Sequence, residues 1–485
     1  MTLATKGGIS HKVTRQRNHM GRKRKTKDAE GQMTLSFDRP RHLPCDGGEV
    51  KSRGMQGQDS QKPMEGKHEL GDTGNLMGEV ADADNLHAAW RRVRANKGAG
   101  GIDGQTVEEF EQKALSHILE MQRQLLAEQY RPVAVRGVQI PKPNGGTRQL
   151  GIPTVKDRIV QQAVAQILGP LYERVFSESS FGFRPNRSAH QALKQGSAYV
   201  GEGYSTVVDL DLEKFFDKVN HARLMARLAR DIKDGRLLRL ILKFLKAGLM
   251  QNGVCRKRDE GTPQGGPLSP LLANIVLDEL DKELERRGHR FCRYADDCNI
   301  YVKSRKAGER VMESIKRFIE RKLRLKVNEA KSKVAKSGEC AFLGYTIGSG
   351  GKLWIARKSK ERMKERIKGL TRRNRGRKLE AIIGELNRTL GGWLVYFRLA
   401  SAKKWCSETE QWLRRRLRCY RLKQCKRRLG IARFLMENGC GERQAWELAM
   451  SRKGWYRMAL SPQASMAMGN EWFRRKGLIP IAIPK

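Results

Sequence analysis

Two adjacent carboxylates are the strongest sign of chemistry in this chain of 485 residues. Tyr294-Ala295-Asp296-Asp297 is flanked by the strand-like residues Phe291 and Ile300. Because side chains alternate between faces along a strand, neighbouring acids share a face only where a tight turn reorients the chain. The pattern therefore predicts the tip of a β-hairpin. Carboxylates held there repel each other unless a cation screens them, and Mg²⁺ prefers such oxygen ligands. The alternative is an ordinary solvated Asp-Asp turn.

A second acidic segment lies about eighty residues upstream. Residues 207–211 read as an apolar strand that ends in acids, with Asp209 and Asp211 separated by one residue. Nucleotidyl transfer uses two metal ions, one to lower the pKa of the attacking hydroxyl and one to hold the leaving pyrophosphate. A carboxylate from this strand, together with Asp296, would bridge such a pair. Asp209 and Asp211 point to the same face of an ideal strand, so their spacing leaves the choice between them open.

A glycine- and proline-rich segment, residues 261–270, lies between the two acidic segments. Glycines let a backbone approach a flat ligand closely. The residues from 271 to 284 have helical periodicity, which places Asp278, Glu279 and Asp281 on the polar side of a helix. We interpret the segment as a loop that lies beside a base pair and precedes a helix, with a plain connecting loop as the alternative.

The order of these segments resembles the successive blocks of reverse transcriptases. The blocks span about residues 80–350 and are Lys142 to Pro153, the segment around Asp211, the loop around Gln264, Tyr294 to Asp297, Leu323 to Ser332 and Phe342 to Tyr345. Residues 386–397, followed by Trp405 and Trp412 to Arg416, look like the maturase-specific thumb, or X, domain of group II intron reverse transcriptases. Packing in a helical core is the alternative role for these aromatic residues.

The resemblance implies a role for several residues. Asp211, Asp296 and Asp297 are expected to be catalytic, and with the backbone carbonyl of Leu212 they are expected to bind two Mg²⁺ ions. The residues expected to bind the deoxynucleoside triphosphate are Lys142, Arg148, Phe216, Gln264 and Lys331. In this scheme Lys142 and Arg148 hold the triphosphate and Phe216 excludes a ribose 2′-hydroxyl. Gln264 contacts the incoming nucleotide or the template base, and Lys331 donates a proton to the departing pyrophosphate.

The charge of the chain indicates a polyanionic partner. It contains 97 Lys and Arg against 52 Asp and Glu, a net charge of +45. Residues 351–485 contain 35 of the basic and 10 of the acidic residues, which is more than half of the excess. Such a concentration indicates contact with RNA phosphates, although a single charge run is usually only a solvated face. The predicted RNA-binding residues are Arg372, Arg373, Arg375, Arg377, Arg414, Arg415, Arg416, Arg418, Lys426, Arg427 and Arg428.

We predict an α+β fold, a right-hand polymerase with fingers and palm followed by an all-helical thumb or maturase domain. Residues 1–80 are rich in Gly, Lys, Arg and Gln and are expected to form a mobile basic extension. An RNA-binding arm, a transit segment and a leader without a specific role remain open for it. Residues 81–350 are assigned to fingers and palm and 351–460 to the helical domain. Residues 461–485 are assigned to a short C-terminal segment that contacts DNA or seals that domain.

The expected function is an RNA-directed DNA polymerase, a nucleotidyltransferase that also binds its group II intron RNA, promotes splicing and supports intron mobility by target-primed reverse transcription. The expected partners are the intron RNA, a DNA target and primer, and deoxynucleoside triphosphates, with dimerisation left open. One alternative is a reverse transcriptase of another class, such as a retron or diversity-generating enzyme. The other is an RNA-binding splicing factor without polymerase activity.

Further expectations concern location and absent domains. No apolar run approaches the roughly 18–20 residues of a membrane span, and nine cysteines without a Cys-x-x-Cys pair support neither a disulfide framework nor a zinc site. A bacterial cytoplasm rather than an organelle is therefore expected, without membrane contact. Residues 461–485 contain neither His nor Cys, so the HNH endonuclease domain of many relatives is expected to be absent. Without second-strand cleavage by this chain, reverse transcription is expected to be primed from a nascent strand at a replication fork or from another nick.

Overall fold

The computed structural model describes residues 72–141, 145–251 and 254–483. The predicted mobile extension up to residue 71 and the predicted triphosphate ligand Lys142 lie outside these ranges. Within them, the helices of the first part of the chain are α1 Leu76–Ala81, α2 Ala83–Ala95, α3 Val107–Glu111, α4 Ala114–Leu126, α5 Val155–Glu173, α6 Ala189–Gly201, α7 Phe215–Lys218, α8 His221–Asp231, α9 Gly235–Lys246, α10 Ser269–Arg286 and α11 Arg305–Phe318, which ends in a π-helical turn, Ile319–Leu323.

The strands form three antiparallel or mixed sheets. They are β1 Val135–Pro141, β2 Thr147–Ile152, β3 Thr206–Asp211, β4 Leu249–Gln251, β5 Val254–Arg256, β6 Arg290–Tyr294, β7 Asp297–Val302, β8 Lys333–Lys336, β9 Tyr345–Ile347 and β10 Leu353–Ile355. One sheet has the order β2-β1-β4-β5, a second is the hairpin of β9 and β10, and the third has the order β6-β7-β3-β8. The third sheet, which we call the palm sheet, is antiparallel throughout.

The palm sheet is buried on both faces. Val208, Leu210 and Ile300 belong to one hydrophobic core, which also contains residues of α10 and α11. Val207 and Tyr301 point to the opposite face and join a second core that continues into the C-terminal helices. This division follows the alternation of side chains along each strand. The same alternation carries Asp209 and Asp211 to the second face.

The C-terminal part of the described chain is helical. Its helices are α12 Arg357–Leu370, α13 Leu379–Tyr396, α14 Lys403–Gln424, α15 Arg428–Glu437, α16 Glu442–Met450, α17 Trp455–Met458, α18 Pro462–Ala467 and α19 Asn470–Arg475. Trp472 and Phe473 of α19 are buried in the core of this domain, so the described part of the C-terminal segment is integrated with the helices before it. None of the helices described is both long and apolar enough to cross a membrane.

The folded part of the chain begins before the expected boundary at residue 80. Leu76, Met77 and Val80 of α1 are buried in the first core, and the Met77 amide donates to the Asp234 carboxylate at 2.8 Å. The sequence pattern does not reveal α1 because this helix is only six residues long, and its apolar spacing does not stand out beside a polar segment.

Candidate active site

The hairpin tip expected from the two adjacent acids is present. Tyr294 at the end of β6 pairs with Asp297 at the start of β7, so Ala295 and Asp296 form a two-residue turn. Ala295 has φ of 58°, a left-handed conformation that is uncommon for residues other than glycine. The backbone of Gly182 packs against this turn, since a Cβ added at Gly182 would lie 2.3 Å from the Ala295 nitrogen. Contact with the Gly182 backbone therefore holds this turn in its left-handed conformation.

The register of the palm sheet brings the upstream acid to this tip. Asp211, the last residue of β3, is paired with Asp297 across the ladder between β3 and β7. Directly opposed residues of an antiparallel pair share a face, so these carboxylates leave the sheet on the same side. Asp209 is paired with Asn299, two residues farther from the turn. The geometry thus favours Asp211 over Asp209 as the partner of the hairpin acids.

Burial, and to a smaller extent mutual repulsion, raises the pKa of the acids at the tip. Burial raises the pKa of Asp297 to about 8, with further contributions from the negative charges of Asp209, Asp296 and Asp211. Burial and the charge of Asp211 raise the pKa of Asp296, whereas Arg148 and Lys331 oppose that rise. Burial likewise raises the pKa of Asp209 to about 6. Burial and crowding of this kind both disfavour the ionised form of the carboxyl groups.

The donor set at the tip fits a hard divalent cation. Carboxylate and carbonyl oxygens are the ligands that Mg²⁺ takes, and the bridge between Leu212 and Val327 uses the Asp211 carbonyl and the Glu213 amide, leaving the Leu212 carbonyl out of that pairing. Over the described ranges, however, no group of three or more His, Cys, Asp or Glu side chains is arranged to hold a metal ion. Asp297 is the more deeply buried of the two hairpin acids and the Asp211 side chain is 38% exposed, so Asp211 and Asp296 are the more accessible candidate ligands.

Cationic residues reach the acids from two directions. The Lys331 ammonium lies 3.1 Å from a carboxylate oxygen of Asp211. The neighbouring Ser332 hydroxyl accepts a hydrogen bond from the Asp211 amide at 3.0 Å. Arg148 lies on β2 opposite Ile140, close enough for its charge to lower the pKa of Asp296. The structure thus brings two of the predicted triphosphate-binding residues to the predicted metal site.

The loop around Gln264 is fixed against the segment that carries Phe216. The Thr262 amide donates to the Phe216 carbonyl at 2.6 Å, and the Gly261 amide donates to the Val219 carbonyl at 2.7 Å. Gly261 has φ of +84°, and a Cβ there would lie 2.9 Å from the Phe216 carbonyl oxygen. The Gln264 carbonyl accepts the Gly151 amide at 2.8 Å. The segments that carry Gln264 and Phe216, which were predicted from separate blocks, are therefore joined by backbone hydrogen bonds.

A buried arginine that the sequence did not reveal supports the hairpin from behind. Arg293 on β6 is fully buried. Its guanidinium donates to the Asp281 carboxylate at 2.7 Å, to Asn274 Oδ1 and the Ala295 carbonyl at 3.0 Å each, and to Ser180 Oγ at 2.8 Å. The prediction that Asp278 and Asp281 lie on the polar side of α10 is wrong, because both are buried and Asp281 neutralises Arg293. A charged residue inside an apolar strand was the one available sequence signal.

The predicted RNA-binding residues differ in exposure and in their contacts within the domain, and Arg377 is both exposed and bound. The exposed ones are Arg372, Arg373, Arg377, Lys426, Arg427 and Arg428. Several guanidiniums are bound within the domain: Arg375 and Arg377 contact Glu385, Arg414 contacts Glu410, Arg415 contacts Tyr456, Arg416 contacts Thr371, and Arg418 contacts the Met468 carbonyl. Contact of these residues with RNA stays a prediction.

Comparison with known proteins agrees with this geometry. Residues 140–347 match the family model "Reverse transcriptase (RNA-dependent DNA polymerase)", and residues 360–435 match "Group II intron, maturase-specific domain". Protein YkfC of Escherichia coli is 33% identical over 313 residues, which cover 56% of this chain and 82% of that protein. The group II intron-encoded protein LtrA of Lactococcus lactis is 34% identical over 332 residues, 54% of this chain and 55% of LtrA.

A third relative is a putative COX1/OXI3 intron 1 protein of Saccharomyces cerevisiae, 31% identical over 223 residues, 46% of this chain and 26% of that protein. The sheet topology and the matched family models define the class of protein: a reverse transcriptase domain of the right-hand polymerase fold, followed by a helical maturase-specific domain. The chain belongs to the group II intron reverse transcriptase and maturase family. It spans about half the length of LtrA.

Proposed function

We propose that this chain extends the 3′ end of a nucleic-acid primer with deoxynucleoside triphosphates on an RNA template. The observation that carries the proposal is the opposition of Asp211 to the hairpin acids, with Arg148 and Lys331 beside them. Polymerisation needs anionic ligands for metal ions and cations for the triphosphate within reach of each other, and this site has both.

Asp211, Asp296 and the Leu212 carbonyl would hold two Mg²⁺ ions. Ions bound there would activate the primer 3′-hydroxyl and stabilise the leaving pyrophosphate. Asp297, whose pKa burial raises to about 8, would support this site. The Lys331 ammonium, 3.1 Å from Asp211, would give a proton to the departing pyrophosphate. Arg148 uses its planar fork to hold phosphate oxygens.

The second part of the proposal is binding. The maturase domain would hold the chain's own group II intron RNA through exposed basic side chains and so favour the spliceable fold, because a protein that binds one fold more tightly shifts the population toward it. The intron RNA would carry out cutting and joining. A retained complex with intron RNA and a DNA target would then supply both template and primer for target-primed reverse transcription.

Primer extension tests the polymerase proposal. The assay uses an RNA template, a DNA primer, deoxynucleotides and Mg²⁺, with the parent chain, Asp211→Asn and Asp296→Asn. Glu309→Gln is the matched control, since Glu309 is an exposed helix residue paired with Arg305. We expect each site variant to lose at least about a hundredfold in rate, as when one charge-stabilising group is removed from a preorganised site. Equal extension by parent and Asp296→Asn would refute the assignment.

RNA affinity tests the binding proposal separately. Filter binding of an intron transcript at several salt concentrations should give a steep linear decrease of log affinity with log salt, because bound phosphates release counterions. Retained RNA binding and splicing by a parent chain that incorporates no deoxynucleotide would instead favour a splicing factor without polymerase activity.

A further inference from the structure

A cleft in the maturase domain combines cations with aromatic rings. It has a volume of about 470 Å³ and lies between the linker that follows α12, helix α14 and helix α17. Its cationic side chains are Arg372, Arg373, Arg416 and Lys423, and its aromatic ones are Trp455 and Tyr456. None of the residues that line the cleft is acidic. This volume is within the range of sites that hold a small organic ligand.

The positive charges in the cleft are held close together. The Arg416 guanidinium donates to Thr371 Oγ1 at 2.6 Å and lies 5.3 Å from the centroid of the Trp412 ring, so its position is fixed by the protein. Burial lowers the pKa of Arg416, and the positive charge of Arg373 adds to that effect, whereas Cys419, Tyr456 and Glu365 oppose it. Like charges around one cavity are unfavourable, and an anion bound between them would relieve the repulsion.

The aromatic wall is also oriented in advance. Tyr456 is 44% exposed, and its hydroxyl accepts a hydrogen bond from Arg415 at 3.1 Å. The Arg415 guanidinium lies 5.5 Å from the centroid of the same ring. An exposed ring held in place in a cleft that also contains the exposed side chains of Arg372 and Arg373 suits a ligand with a flat base and a phosphate, since bases stack on aromatic side chains and arginine binds phosphate in a bidentate manner.

We propose that this cleft captures one unpaired nucleotide of single-stranded RNA, its phosphate held by Arg372 and Arg373 and its base stacked on Tyr456. The proposal rests on the proposed binding of RNA by the maturase domain and specifies what that domain recognises. A base inside a duplex presents only its edge to a protein, so a stacking wall selects nucleotides that have left the helix. The maturase domain would thus favour intron folds that present an unstacked base.

The test compares two double variants that lose the same charge. Arg372→Ala with Arg373→Ala removes two exposed cations of the cleft, and Lys426→Ala with Arg427→Ala removes two exposed cations outside its lining. Affinity is measured for a single-stranded 12-nucleotide RNA and for a duplex of the same length. We expect the cleft pair to weaken single-strand binding about tenfold more than the control pair, and both pairs to weaken duplex binding equally.

Tyr456→Ala and Tyr456→Phe separate stacking from the hydroxyl. We expect Tyr456→Ala to lose roughly tenfold in single-strand affinity, as for one stacked base, and Tyr456→Phe to retain it. Equal losses for the cleft and control pairs on both RNAs, or equal binding by Tyr456→Ala and the parent, would overturn the cleft proposal and leave general RNA binding intact. A parent chain that binds neither RNA would overturn the proposed binding function as well.

Discussion

Replacing Arg293 with Met should destabilise the polymerase core and misplace the hairpin acids together. The guanidinium neutralises Asp281, whose side chain is fully buried, and supplies donors to the Asn274 amide oxygen, the Ser180 hydroxyl and the Ala295 carbonyl. Removing one partner of a buried ion pair leaves an uncompensated charge, which costs about 3–5 kcal/mol. Total unfolding free energies are about 5–15 kcal/mol, so the expected loss is a large fraction of the whole.

Urea denaturation followed by tryptophan fluorescence measures this loss. Arg290→Met is the matched control, because Arg290 lies on the same strand but is exposed, and we expect it to cost less than about 1 kcal/mol. Adding Asp281→Leu to Arg293→Met should recover part of the stability, since the double variant no longer buries an unpaired carboxylate. An unfolding midpoint for Arg293→Met equal to that of Arg290→Met would refute the reasoning.

Primer extension by the same variants tests the effect on the site. The bond from Arg293 to the Ala295 carbonyl fixes the turn that carries Asp296. A misplacement of about 1 Å at a reacting group can cost a hundredfold in rate. At a temperature where Arg293→Met remains folded, we therefore expect kcat to fall by about tenfold to a hundredfold with a smaller change in KM for the deoxynucleotide. An unchanged kcat would show that the anchor is only structural.

Three further predictions concern the same site. Because the folded pKa of Asp297 is about 8, above its value of about 3.8 when unfolded, the metal-free chain should lose stability as pH rises from about 4 to 8, and Asp297→Asn should flatten this loss in thermal unfolding. Gly182→Ala should cost about 1–3 kcal/mol in urea unfolding, since its Cβ would lie 2.3 Å from the Ala295 nitrogen. The helical Gly169, where nothing lies within 4 Å, should instead tolerate Ala with a gain of about 0.5–1 kcal/mol. Phe216→Ala should raise ribonucleotide incorporation about tenfold or more in a competition assay, and an unchanged ratio would contradict the role of the ring as a gate.

Local patterns were sufficient for the parts of the site that depend on neighbours in sequence. The two-residue turn at Ala295 and Asp296 followed from the position of the acids between strand-like residues, and the helix after the Gln264 loop followed from its periodicity. These features depend on the few residues that form them. The order of the blocks then predicted that distant segments would meet, and the register between Asp211 and Asp297 confirms that they do.

Features that depend on contacts between distant elements could not be predicted from the sequence. The choice between Asp209 and Asp211 required the strand register, and the burial of Asp281 required knowing that Arg293 would reach it from another element. The apolar spacing of residues 107–129 is that of one continuous helix, but the structure has two helices there, α3 and α4, separated at Gln112 and Lys113. Periodicity carries over such a break, because the apolar positions on both sides face the same core.

The hydrogen bond from the Thr262 amide to the Phe216 carbonyl joins the loop that carries Gln264 to the segment that carries Phe216. In the proposed polymerase reaction, Phe216 would contact the sugar of the incoming nucleotide, and Gln264 would contact that nucleotide or the template base. A substitution that shifts this loop would alter both contacts at once. Accuracy in pairing and rejection of ribonucleotides should therefore change together when this polymerase diverges or is engineered.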